Sequence, residues 1–284
     1  MKSKPKKIKQ EVIELLGSYI PSLPRVATEL QRIISEEDFS YTKVEDLIMQ
    51  DTALAAKILK IANSPVYGLS REVESISQAM MIMGMHEIKE IVMGTACVDA
   101  FKKFNMKHFD INKFCKHALA CAVSARYLAS NMGINPLEGY FVAGLIHDLG
   151  QIIMAKAFPE AYVKSLDLAV SKNLTTSNAE QEIFKFDHTI IAQAVLEHWK
   201  MPKALQAVAR YHHNPGMADQ FQQEVSIIHL SDAIVEAIGY SSGGESYIKI
   251  ECTRVTEALI SHPSIENLFE EIDFLMETSS SSYE

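Results

Sequence analysis

Seven side chains have types and spacings that could do chemistry: His117, the adjacent His147 and Asp148, His188, the pair His212 and His213, and Asp232. Imidazole nitrogens and carboxylate oxygens together suit iron, manganese, zinc or nickel better than calcium. A His beside an Asp lets two side chains reach one ion, and the two carboxylate oxygens can bridge a pair of ions. Gly144 and Gly150 flank His147-Asp148 and allow close helix packing or a helix end there. Asp232 falls in the apolar run Ser226 to Ala233, where a carboxylate is costly unless paired or metal-bound. Converging these groups on one cluster offsets that cost. The expectation is one pocket holding all seven, with a divalent metal centre that can be dinuclear and Asp148 as the bridge. His212-His213 has a second reading, as a solvent-facing helix end favoured by the helix dipole.

Other polar residues read more plainly. His198 beside Trp199 reads as a core-edge or surface residue, and His229 as packing or as support for Asp232 three residues on. His86, His108 and His262 have no evident partners. Met80, Met81, Met83 and Met85 read as a core stripe. Cys97, Cys115, Cys121 and Cys252 show no CxxC spacing and read as reduced, buried thiols. Lys116, Arg126 and Arg210 are candidate phosphate contacts, with a solvated helix face as the plainer reading. No nucleophile elbow, phosphate loop or dinucleotide turn is present.

The elements that must position these residues are helical. Apolar residues recur at three and four positions, as in Val26-Leu30-Ile33-Ile34, and strand-like alternation is scarce. Pro21 and Pro24 precede the first long helix, and Ser40 and Thr42 can cap the next, Thr42 with Glu45 as a capping box. Asn63-Ser64-Pro65 with Gly68 marks a turn, and Gly84 closes or bends the helix that starts after Ser75. Further helices are expected over 112–131, 137–158, 179–186, 189–199, 203–211 and 222–238. Gly243-Gly244 marks a loop, two short helices follow, and the Ser-rich end reads as disordered.

The fold expected is all-α with two helical lobes, residues 1–105 and 106–277, and a disordered tail over 278–284. The net charge of −9 argues against wrapping nucleic acid. The lysines between Lys2 and Lys9 read as a solvated terminus. With no apolar stretch long enough for a membrane span and no visible leader, the expected compartment is the cytoplasm.

The order His117, His147-Asp148, Asp232 resembles the HD superfamily of metal-dependent phosphohydrolases, and the fuller pattern resembles its HDOD family. Ile20-Pro21-Ser22-Leu23-Pro24 looks like that family's opening turn. Gln50-Asp51-Thr52-Ala53-Leu54 is similar to its "DP-x-L" helix, with Thr52 in place of Pro. Asn63 to Gly68 is similar to its "NS-x-x-Y-G" turn, and Ile76 to Gly84 to its "I-x-x-A-x-x-x-L-G" helix, with Met83 in the Leu place. Gly144 to Gly150 and Trp199-Lys200-Met201-Pro202 also fit.

The resemblance implies two all-helical lobes, the second an HD-type bundle. It also implies a role in bacterial signal transduction or regulation, through a signalling protein partner. By analogy with the related HD-GYP branch, which hydrolyses cyclic di-GMP, the seven residues match the ligand positions of a two-metal site. Three departures stand out. Lys113 precedes His117 by one turn, where some of those enzymes carry a third-metal Glu. Asn214-Pro215-Gly216 replaces the Gly-Tyr-Pro loop. Gln151 stands where active hydrolases commonly have Lys. The expectation is therefore a regulatory module with a metal site that need not turn over. The alternative is an active metal-dependent phosphohydrolase acting on a nucleotide or cyclic dinucleotide phosphodiester.

Overall fold

The computed structural model describes residues 14, 16–34, 36, 40–63, 69, 71–102, 108–134 and 139–242, with scattered positions between 250 and 272. All regular structure among the described residues is helical. The chain divides into two compact units. The smaller is Ser22–Ala100, and the larger joins the described residues up to Pro21 to those from Phe101 onward. The sequence division kept residues 1–105 together. The residues up to Pro21 group instead with the larger unit, where the Trp199 indole nitrogen donates to the Pro21 carbonyl at 3.2 Å.

The smaller unit contains α1 (Arg25–Ile34), α2 (Tyr41–Met49), α3 (Thr52–Ala62), α4 (Ile76–Met83) and most of α5 (Met85–Lys102). Each of α1 to α4 buries one apolar face: Ala27, Leu30 and Ile33 on α1, Val44, Leu47 and Ile48 on α2, Leu54 and Ile58 on α3. α2 starts after Ser40, which makes no side-chain cap, so Thr42 lies inside the helix and the expected capping box does not form. Asp51 does cap α3, accepting from the Leu54 amide at 3.0 Å. The methionine stripe is only partly core. Met80 is buried, whereas Met81 on the other side of α4 is 78% exposed.

The Asn63 side chain joins two segments. Its amide nitrogen donates to the Val73 carbonyl at 2.9 Å, and its carbonyl accepts from the Val73 amide at 2.7 Å. Asn63→Ala is expected to destabilise this unit by about 1–3 kcal/mol, because both groups of Val73 lose their partner. Thermal or denaturant unfolding checks this, and an unchanged midpoint would refute it. Ser64 to Gly68, the rest of the expected turn, lie outside the described residues, as do Gly243-Gly244, Cys252, His262 and the tail.

The larger unit contains α6 (Ile111–Asn131), α7 (Tyr140–Ile146), α8 (Leu149–Ala157), α9 (Pro159–Lys172), α10 (Thr176–Phe184), α11 (His188–His198), α12 (Lys203–Tyr211) and α13 (Gln222–Ala237). α6 lies at its centre, packed along α7 and α13, while α11 packs on α12 and α8, and α9 on α10. Small side chains make this possible. Ala118, Ala120, Ala122, Ala125 and Ala129 of α6 are buried. A Cβ on Gly144 would come within 2.5 Å of the Ala122 Cα, so α7 lies directly against the α6 backbone.

One expected helix is broken, and one observed helix lies outside the expected elements. The run expected over 137–158 is interrupted at His147 and Asp148, which form a turn between α7 and α8. The expected elements leave out α9, although Tyr162, Leu166 and Ala169 recur at helical spacing. Proline opens it at its first position, where a missing amide hydrogen costs nothing.

Candidate metal centre

The turn between α7 and α8 explains why His147 and Asp148 face the interior together. Asp148 takes the N-cap place of α8 yet makes no side-chain cap. Its carboxylate is turned instead toward a group of imidazoles, near the positive end of the α8 dipole. His188 opens α11 immediately after Asp187, whose carboxylate accepts from the Ile190 amide at 3.3 Å. His212 ends α12, with His213 beside it in the following turn. His117 lies on α6 and Asp232 on α13.

All seven residues converge. His117, His147, His188 and His212 are wholly buried, Asp148 nearly so. Around one point stand His117 Nε2, His147 Nε2 and Asp232 Oδ1, at 3.4 Å between the two imidazoles, 3.3 Å from His117 to Asp232, and 3.7 Å from His147 to Asp232. Asp148 Oδ2 joins them at 3.8 Å from His117 and 3.5 Å from His147. Around a second point, Asp148 Oδ1 lies 3.2 Å from both His188 Nε2 and His212 Nε2, and His213 Nε2 lies 3.0 Å from His188 Nε2. Asp148 thus presents one oxygen to each set.

The imidazoles are oriented by what holds their other nitrogen. His147 Nδ1 donates to the Gly144 carbonyl at 2.7 Å, His117 Nδ1 to the Tyr240 carbonyl at 2.8 Å, and His212 Nδ1 to the Val208 carbonyl at 3.2 Å. His188 Nδ1 donates to the buried Glu180 carboxylate at 2.7 Å. A carbonyl or carboxylate can only accept, so each Nδ1 carries the proton and each Nε2 lone pair faces the cluster. His229 supports the set from behind, its Nδ1 donating to the His212 carbonyl at 2.6 Å.

Two donors each ~2.0–2.3 Å from one ion, at angles between a right angle and the tetrahedral value, stand roughly 3–3.8 Å apart. The separations in both sets fall in or close to that range. Asp148 Oδ1 and His212 Nε2 are also buried without a hydrogen bond, although only 3.2 Å apart. Buried polar atoms that approach without bonding are what ligand atoms do when they share an ion. Both sets could hold a metal.

The imidazoles and carboxylates of the cluster also set one another's charge. Burial would push the Asp148 and Asp232 carboxyls up, but the surrounding imidazoles hold both well below the usual carboxylate range. Burial likewise disfavours charge on His188, and the Glu180 and Asp148 carboxylates overcome it and raise it. His213, which meets burial and two neighbouring imidazoles, is driven well below its ordinary value.

Several residues read differently here than in the sequence. Glu180, which fixes His188, carries no sequence signal, since a Glu in an amphipathic helix ordinarily faces water. It is wholly buried, and burial pushes its carboxyl up against the pull of His188. Glu180→Gln is expected to weaken metal uptake by about 10–100-fold, the usual cost of losing a partner that orients a ligand. Competition with a chelator measures this, and equal affinity in the two proteins would refute it. Arg126 is buried rather than solvated, and Arg210 is held by Thr189 at 2.6 Å. His86 does have an acidic companion, Glu90 at 3.2 Å one turn on. His198 is exposed.

The HDOD domain family profile matches residues 20–215. A Treponema pallidum protein is 24% identical over 218 residues, 76% of this chain and 42% of its own length. The cyclic di-GMP phosphodiesterase CdgJ of Vibrio cholerae is 30% identical over 90 residues, 32% of this chain and 19% of its length. The chain thus spans less than half the length of either curated relative. Among solved structures, an HDOD domain protein of Geobacter sulfurreducens superposes with a TM-score of 0.68 at 21% identity, over 96% of this chain and 95% of that one. No helix among the described residues is long and apolar enough to cross a membrane.

Proposed function

Since the chain belongs to the HDOD family, we propose that it is a signalling or regulatory module whose larger unit holds a two-metal centre serving as a structural or sensing element. The observation that carries this reading is the pair of adjoining His and Asp sets with one Asp148 oxygen facing each, and four imidazoles each held through Nδ1. His117, His147, Asp148 and Asp232 would hold one ion, and Asp148, His188, His212 and His213 the other. Divalent ions there would supply Lewis acidity and activate water.

What the chain adds around the ligands favours regulation over turnover. Gln151 donates from its amide to Asp148 Oδ2 at 2.7 Å, and Tyr162 in turn donates to Gln151 at 3.2 Å. The Asp148 carboxylate is therefore tied to a neutral amide, itself held by a phenol, and neither supplies positive charge for a phosphate. Arg210 is turned to Thr189 and lies 4.0 Å from Asp187. A signalling partner would then read the state of the metal-bearing unit.

The completeness of the ligand set favours a second reading, hydrolysis of a phosphodiester, the activity carried by the name of the Vibrio cholerae relative. Purified protein should bind close to two equivalents of iron, manganese or zinc, measured by elemental analysis after reloading. It should release no product from a cyclic dinucleotide or a generic aryl phosphodiester. Steady metal-dependent turnover would favour the hydrolase instead, and failure to bind any of the three metals would overturn both readings.

A further inference from the structure

One residue beside the first set belongs to neither reading. Cys121 follows His117 by one helical turn on α6 and so shares its face. It is wholly buried, with its Sγ 3.5 Å from His117 Nε2. The donor atoms of His117, Cys121, His147 and Asp232 all lie within 4.8 Å of one another. Cys97 and Cys115, also buried and in no disulfide, belong to no such group among the described residues.

We propose that Cys121 is a ligand of the first subsite, giving that ion a sulfur donor beside the two imidazoles and Asp232. This inference rests on the two-metal reading. A metal–sulfur distance of ~2.3 Å and a metal–nitrogen distance of ~2.0–2.1 Å put the two donors about 3.5 Å apart at a tetrahedral angle, and the observed separation is 3.5 Å. His117 Nδ1 already donates to Tyr240. Its Nε2 lone pair and the Cys121 sulfur therefore look toward the same space.

The consequence is chemical asymmetry between the subsites. The second set offers only nitrogen and oxygen, from Asp148, His188, His212 and His213. Thiolate is a soft donor that selects zinc or iron over manganese or magnesium. The first subsite would then take zinc or iron preferentially, and the second would be less selective.

Cobalt(II) is the probe. The full chain is stripped with a chelator, reloaded with cobalt(II), and followed in the visible range for uptake and in the near-ultraviolet for thiolate-to-cobalt charge transfer. Wild type and a variant with Cys121 as its sole cysteine (C97S, C115S, C252S) should both show the charge-transfer band. Cys121→Ser and Cys121→Ala should lack it and bind the tighter cobalt about 10-fold or more weakly, a loss on the scale of removing a supporting ligand partner. Should the Cys121 variants fail to fold, the wild-type and sole-cysteine spectra decide alone. Cobalt uptake without the charge-transfer band would leave the two-metal centre standing and reduce Cys121 to a thiol hydrogen-bonded to His117. Absence of any cobalt uptake would overturn both.

Discussion

Asp148→Ala is expected to abolish metal uptake at both subsites and, with it, the rise in melting temperature that metal gives the wild type. The reason is the position of the two carboxylate oxygens. Oδ2 stands among His117 and His147, and Oδ1 among His188 and His212. No other side chain in the cluster faces both sets so closely, so a single truncation takes an anionic donor from each. An ion bound only by the folded state stabilises it by about 2.7 kcal/mol when present at ~100 times its dissociation constant. At roughly 2–4 °C per kcal/mol for domains of 150–250 residues, saturating metal should raise the wild-type midpoint by about 5–10 °C and that of Asp148→Ala by almost nothing. His213→Ala, which removes one donor from the second set alone, should lose about half the metal. Parallel melting curves with and without zinc or manganese make the comparison. An equal metal-dependent rise in wild type and Asp148→Ala would remove Asp148 from the site.

How much of this was legible beforehand follows from what burial costs each residue type. A His or Asp within apolar helical sequence must find partners, and that constraint made convergence of the seven residues reasonable, while the resemblance to the HD-GYP branch supplied them as a ligand set and His212-His213 kept a solvent-facing reading. The helical character was equally plain from periodicity. What failed was local. The apolar run through Leu145, Ile146 and Leu149 has helical spacing on both sides of His147-Asp148, so periodicity runs through the turn that aims the two side chains inward. Thr42 matched a capping pattern, but Ser40 holds the N-cap place and the helix begins at Tyr41. Glu180 and Cys121 were invisible as site residues for opposite reasons. A glutamate is ordinarily solvated and a cysteine ordinarily buried, so neither type announces a partner. Their roles depend on which helices meet, and that is tertiary information.

Gly150→Ala is expected to destabilise the larger unit and loosen the metal centre in one step. Gly150 is in the first turn of α8, where local propensity alone predicts the opposite result. Alanine in a helix is worth up to about 1 kcal/mol over glycine. The close approach of α11 decides the sign. A Cβ at this position would fall 2.0 Å from the His188 carbonyl oxygen, 2.7 Å from its carbonyl carbon and 3.0 Å from its Cα. These are backbone atoms and cannot swing aside as a side-chain tip would. α8 and α11 must therefore separate, at a cost in the upper part of the ~1–3 kcal/mol range for overpacking, which exceeds the propensity gain. The atoms displaced belong to His188, whose Nε2 faces Asp148 Oδ1 at 3.2 Å, and metal ligands tolerate errors of only ~0.2 Å. The variant should melt several degrees below wild type even without metal and bind zinc or manganese more weakly, with the loss concentrated in the second subsite. Thermal unfolding of the metal-free proteins, followed by metal titration of each, separates the two effects. A Gly150→Ala protein that melts at or above the wild-type temperature would mean that propensity has won and that α8 and α11 do not meet as closely as described.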